Sequence, residues 1–329
     1  MASALISNIV RIGMGIILSA IAWSATALAA ETWPQRNVRF IVSLPPGSGV
    51  DLGARLFADR LSAKWGQPVV VENRPGGDGV IAITSFINAQ DDHVLLFAPV
   101  SSFSAYAYLH PEEKLPYDPR DLVPIARVSN TVVVIAVPVS RNINSLKELV
   151  ELAKAQPSKL NWTTATGVSD FLFEGFEKSG GVRWTKVPYR NTVEALKDLA
   201  EGRIDIWCGA YTIARPQVES GKVKLLAVTN HERAPMIAEV PTVKEAGYPT
   251  LHFDGLVGLF GPKKMSDELR SKIAADIASV ADKTMGEKLA VSGQVMSPGK
   301  AAEFAVSIEE QRATVAKIAT ELGIKPASQ

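Results

Sequence analysis

The sequence predicts an α/β protein built as two similar-sized halves with a cleft between them. Three observations point there: β-rich runs alternate with helical segments from Val38 onward, the runs are apolar nearly throughout, and the alternation restarts after an irregular stretch between Pro111 and Pro124. Near-continuous apolar strands separated by helices are the pattern of a parallel, doubly wound sheet covered on both faces. Two such units joined by crossing chain leave a cleft, a preferred place for a small ligand.

Taken in order, VRFIV reads as the first strand and DLGARLFADRLSAKWG as the first helix, stopped by Gly66 with Pro68 just beyond. PVVVEN leads through a Gly-rich turn into GVIAITSFINA, and HVLLFA into VSSFSAYAY. After EEKLPYDPRDLVP, TVVVIAV opens the second series. NINSLKELVELAKA is an amphipathic helix with Asn144 or Ser145 as its cap. LNWTTA reads as a strand, TVEALKDLAEG as a helix ending at Gly202, and RIDIWCGA and VKLLAVT as strands. FDGLVGLFGP returns to strand character, and two helical segments between Ser266 and Leu322 close the chain. The expected division is 1–30 as a leader, 31–130 as a first domain completed by 255–329, and 131–254 as a second.

The first thirty residues carry Arg11 as their only charge, then an apolar run from Ile12 to Trp23, then Ala27-Leu28-Ala29. That order describes a secretory signal peptide cut near Ala29 or Ala30, so the mature protein is expected in the periplasm. Cys208 is the only cysteine, which excludes an intramolecular disulfide and leaves core burial to supply stability. With 35 Lys and Arg against 34 Asp and Glu, the net charge of +1 offers no basic field for nucleic acid. A small molecule is the better partner. His93, His110, His231 and His252 are isolated and lack metal-ligand spacing, and no nucleophile elbow, phosphate loop or C-x-x-C occurs. No cofactor or metal is expected, and the protein is not read as an enzyme. A periplasmic hydrolase using Ser48 is the enzymatic alternative, and a sensor subunit feeding a receptor kinase is the other.

In SLPPGSGVD, Pro45 and Pro46 stiffen a loop between strand and helix, while Gly47 and Gly49 permit close backbone approach. The helix behind it offers free N–H groups and the positive end of its dipole to an anion, with a hydroxyl from Ser48. Ser48 or Asp51 could instead serve only to cap that helix, and Asp51 would have to turn away from an anionic ligand.

WPQRNVRFIVSLPPGSGVD, ARLFADRLSAKWGQPVVVENRPGGDG, LPYDPRDLVPIA, VPYRNTVEALKDLAEGRIDI, GKVKLLAVT, EVPTVKEAGYP and GLFGPK, in this order from Trp33 to Lys263, resemble the solute-binding proteins of tripartite tricarboxylate transporters, the Bug or TctC family. The resemblance implies a two-domain periplasmic binding protein (Venus flytrap) fold. It also implies a carboxylated ligand in the interdomain cleft and delivery to membrane permease subunits; a monomer is expected. One carboxylate is then gripped by two strand-to-helix loops. The first is Leu44 to Asp51, with Leu44, Pro46, Gly47, Ser48 and Gly49 as binding candidates. The second is ATGVSD, with Thr166, Gly167, Val168 and Ser169. Ser101 and Ser102 lie where relatives carry ligand-contacting hydroxyls, though an N-cap role accounts for them equally. Phe103 could line the cleft or belong to the core. Tyr189, Arg190 and Asn191 form a loop before a helix, with Arg190 as a cation at the cleft edge or in solvent. Asp205 is a candidate for an interdomain hydrogen bond or a water-held ligand contact, and Cys208 for a buried, inert thiol. The second loop lacks the family's second glycine and following histidine. Asp170, Phe171 and Phe173 stand there instead, which favours an aromatic or less acidic ligand.

Overall fold

The first half of the chain forms β1 (Val38–Val42), α1 (Gly49–Trp65), β2 (Val69–Asn73), α2 (Val80–Ala89) and β3 (Val94–Pro99). Two one-turn helices, α3 (Ser101–Ser104) and α4 (Tyr106–Leu109), and the long β4 (Leu122–Thr131) complete it. The second part comprises β5 (Val133–Pro138), α5 (Leu146–Ala155), β6 (Asn161–Thr164), α6 (Gly167–Gly180), β7 (Thr185–Lys186), α7 (Thr192–Ala200), β8 (Ile206–Ala210), α8 (Tyr211–Glu219) and β9 (Val223–Val228). The chain then returns through β10 (Gly255–Pro262), α9 (Asp267–Val280), α10 (Lys283–Val291), β11 (Gln294–Gly299) and α11 (Ala301–Leu322). This computed structural model describes residues 33–164, 167–189 and 191–327, so the leader, Thr166 and Arg190 lie outside the described residues.

Two sheets result, ordered β11-β4-β10-β3-β1-β2 and β7-β6-β8-β5-β9. Neither is purely parallel. β1, β2 and β3 run together, as do β6, β7 and β8, but β10 and β5 run against them. The physical reason is that β10 and β5 enter their sheets from the other half of the chain, without a crossover helix to reverse them. Pro124 disguises β4 within DLVPIA. That proline lies beyond the last β11 pairing, Gly299 with Arg127, where the strand needs no donor on that side. β11 is equally hard to read locally, because Pro298 and Gly299 close a strand that sits between two helices.

Side-chain alternation sorts the first sheet's two faces. Phe40 and Phe97 stack at 5.9 Å and meet Phe57 of α1, whereas Ile41 and Leu96 pack with Ile83 and Phe86 of α2. In the second sheet Trp162 stacks on Phe173 of α6 at 5.2 Å, and Trp207 packs with Leu196 and Leu199 of α7. Each buried aromatic adds apolar area worth roughly 2–3 kcal/mol.

The chain crosses between sheets at Thr131–Val132–Val133 and returns once, through the 230–254 segment that joins β9 to β10. One side chain ties the crossings together: Asn230 donates to the Thr131 carbonyl at 2.9 Å and accepts the Val133 N–H at 3.0 Å. Thr229 and Phe253 exchange backbone and hydroxyl bonds beside them.

Candidate functional site

In each sheet the chain leaves a central strand to one neighbour and returns to the other, so a crevice opens at the C-terminal strand ends. In the first sheet it lies between β1 and β3, and in the second between β6 and β8. Ligands favour such switch points in open α/β sheets.

At the end of β1 the Ser48 N–H reaches the Pro45 carbonyl at 3.2 Å, with Gly47 at φ +82°. This is a turn with proline at its second position and glycine at its third, where a left-handed φ is required. Ser48 is the N-cap of α1, its hydroxyl accepting the Asp51 N–H at 3.2 Å. That oxygen still has its own proton to donate. Asp51 is turned inward and buried, its carboxylate accepting from Gly47 N–H (2.8 Å), Asn73 Nδ2 (2.8 Å) and Arg55 Nε (3.1 Å). Gly47 N–H is therefore spent within the loop, so this binding candidate offers a ligand no amide. The first-turn N–H groups of Gly49 and Val50 have no acceptor among the described residues, and they face the positive end of a 17-residue helix. Leu44 is half-buried and Pro46 exposed. Asn73 also donates to the Leu44 carbonyl at 3.0 Å, so the loop is braced from β2.

Burial alone would raise the Asp51 pKa, but the Arg55, Gly47 and Asn73 hydrogen bonds and the Arg55 charge together hold it below the ordinary carboxylate value. Its stabilisation is present in full above about pH 4 and is lost as pH falls through the lowered native value. Urea midpoints are accordingly expected to drop on acidification below about pH 4, with a shallower acid limb in Asp51→Asn.

Ser101 and Ser102 sit in the first turn of α3, with Val100 as the N-cap, so neither caps. Ser102 lies against the loop after β2: a β-carbon on Gly79 would be 3.0 Å from Ser102 Oγ and 3.7 Å from Ser43 Cβ. The ends of β1 and β3 and the start of α2 thus converge. Phe103 belongs to the core, edge-on to Phe260 at 5.3 Å.

The second edge differs from expectation at several residues. Val168 and Ser169 face inward, Ser169 bonding the Cys208 thiol, so neither side chain is presented at this loop. Gly167 abuts α4, where a β-carbon would lie 3.0 Å from Leu109 Cδ1, and Tyr108 and Phe171 rings are 6.3 Å apart. The start of α6 therefore packs against α4. Asp170 accepts from the Thr164 hydroxyl and pairs with Lys186 at 3.1 Å, which also pairs with Glu174 at 2.9 Å. Phe171 and Phe173 are buried in separate clusters, so they line the core and give no argument for an aromatic ligand. Asn191 caps α7, and Tyr189 donates to Asp198.

Asp205 is not brought to this edge. It precedes β8, at the opposite end of the strand, where Asn161 and Asp205 exchange two 2.8 Å bonds and Arg141 pairs with its carboxylate. It fixes β6 to β8 instead. Cys208 is fully buried, and that burial pushes its thiol up to about 12. It is expected to resist a thiol reagent in the native protein and to react stoichiometrically once unfolded. Sequence reading misses Val50, Arg55 and Asn73; the carbonyl, amide and carboxylate network around Asp51 depends on the neighbouring strand and has no local signature.

A surface hollow of about 550 Å³ lined by His231, Glu232, Arg233, Thr242, Lys244 and Glu245 lies beside the crossing segment, not at either edge. Its Arg233 and Glu245 neutralise each other at 2.8 Å.

Two mixed α/β sheets with their helices give the chain the two-domain fold of periplasmic solute-binding proteins. Residues 53–324 match the tripartite tricarboxylate transporter family receptor, TctC, and the chain belongs to that family of receptors. It is 30% identical over 309 residues to a UPF0065 protein of Bordetella bronchiseptica, covering 93% of this chain and 91% of that one. Among solved structures it is similar to a periplasmic transporter at 30% identity, with a TM-score of 0.77 over 89% of this chain and 99% of that one. MatC from Rhodopseudomonas palustris with bound malate is 26% identical, with a TM-score of 0.72 over 87% and 99%. A second R. palustris protein, solved with adipate, is also 26% identical, with a TM-score of 0.73 over 89% and 99%. The family and these neighbours are binding proteins rather than enzymes. Among the described residues no helix is long and apolar enough to cross a membrane.

Proposed function

We propose that this protein captures a small carboxylate in the periplasm and delivers it to the membrane subunits of a tripartite tricarboxylate transporter. The observation that carries this reading is the pair of unsatisfied amides, Gly49 and Val50, at the N-terminus of α1. Such donors suit an anion without a lysine or arginine, and Arg55 is already engaged by Asp51. Malate and adipate in two similar proteins support a carboxylate of four to six carbons as the first choice. Residues 1–30 act as the export signal, and the two sheets act as the cores of domains 31–130 with 255–329, and 131–254. The ligand stabilises the closed arrangement only by its differential affinity for it. Ser48, Ser101 and Ser102 add hydroxyl donors on the first side, and the first turn of α6, from Gly167, closes from the second.

Thermal unfolding with malate, adipate or an aromatic acid tests the reading. A ligand at a hundred times its Kd adds about 2.7 kcal/mol, which corresponds to roughly 5 °C or more. An aliphatic dicarboxylate is expected to give that shift. No shift with any carboxylate at millimolar concentration would overturn it.

A further inference from the structure

The turn Ser292–Gly293–Gln294, between α10 and β11, touches three parts of the molecule that are remote in sequence. Its first face meets the ligand loop: a β-carbon on Gly49 would lie 2.5 Å from the Ser292 carbonyl oxygen and 2.9 Å from Gln294 Nε2. The second face grips the crossing strand. Gln294 is buried, donating from Nε2 to Thr131 Oγ1 at 3.0 Å and accepting at Oε1 from Ser129 Oγ at 3.0 Å and Thr131 Oγ1 at 3.3 Å. Val132 N–H donates to the Gly293 carbonyl at 2.9 Å. The third face reaches the other sheet, where a β-carbon on Gly293 would stand 2.6 Å from Thr212 Cγ2 in α8. Val132 is thereby held from both sides, since its carbonyl accepts the Tyr211 N–H at 2.8 Å.

We propose that this turn couples the anion-binding end of α1 to the crossing strand, with Gln294 as the positioning residue. The coupling rests on the carboxylate-binding reading only for its consequence on affinity. A displacement of the crossing strand at Thr131 moves the Gln294 amide, because Thr131 Oγ1 bonds both of its polar atoms, while Ser129 of β4 also holds its oxygen. Gln294 and Ser292 lie in van der Waals contact with Gly49, so the movement is delivered to the first-turn amides. A packed contact of this kind transmits displacement because there is no void to absorb it. Conversely, an anion seated on Gly49 and Val50 biases the strand toward one orientation, as linkage requires.

Two mild variants test it, Gln294→Met, which keeps the side-chain length, and Thr131→Val, which keeps the shape of its partner. Hydrogen exchange is followed in segments 44–52 and 129–133 of the purified protein without ligand, alongside calorimetry with malate and adipate. In both variants exchange is expected to rise about tenfold in both segments together, with β8 unchanged and affinity for the bound acid about tenfold weaker. Faster exchange confined to 129–133, with 44–52 and affinity at wild-type values, would overturn the coupling. Failure of the wild type to bind either acid would count against the carboxylate reading, while the exchange result still decides the coupling.

Discussion

Gly47→Asp is expected to abolish carboxylate binding while leaving a folded protein. Two effects act at this position and they differ in size. Gly47 holds φ +82° in the turn that precedes α1, so any side chain there costs about 1–2 kcal/mol in backbone strain. No atom lies within 4 Å of a β-carbon at Gly47, so steric overlap adds nothing and the fold survives. The aspartate charge stands two and three residues before the Gly49 and Val50 amides, and like charges facing each other at an interface cost several kcal/mol. Binding should weaken by more than about a hundredfold, against about tenfold or less for Gly47→Ala, which carries the strain alone. Calorimetry on the two variants separates charge from strain; equal affinities for them would contradict an anion at this loop.

Asp51→Ala carries the largest expected effect on stability. Its carboxylate is nearly inaccessible and satisfies Gly47 N–H and Asn73 Nδ2 at 2.8 Å each. Removal leaves these groups without a partner, whereas half-exposed Arg55 can turn to water. The expected loss is about 2–4 kcal/mol, or roughly 5–10 °C in melting temperature. Asp51→Asn should fall between, because its carbonyl can still accept one bond while its amide faces donors. Melting curves in the order wild type, Asn, Ala check this. A destabilised loop also loses preorganised amides, so affinity should fall along with stability.

These expectations show where the residues speak for themselves. The β1–loop–α1 unit is readable locally: an apolar run, the Pro-Pro-Gly turn, and Gly66 with Pro68 at the helix end each impose a backbone conformation without outside help. Whether Asp51 points outward or inward is set by Asn73 and Arg55, one on another strand and one a helical turn away, so the choice stays open until the sheet is assembled. Phe171 and Phe173 stand where the family's second loop carries its distinguishing residues, but α6 starts at Gly167 and helical periodicity turns them into two different cores. Asp205 reads as a ligand contact because it adjoins a strand. Only the sheet order reveals that it occupies the end away from the crevice. The contact between Gly49 and Gln294 joins residues from opposite ends of the chain and has no signature in either segment.

The most direct test of the central claim is a crystal structure of the protein with the dicarboxylate that stabilises it. A carboxylate oxygen is predicted within about 3 Å of the Gly49 and Val50 nitrogens, with the α6 first turn closing from the other side. A ligand seated instead in the hollow between His231 and Glu245, with those amides unoccupied, would contradict the account.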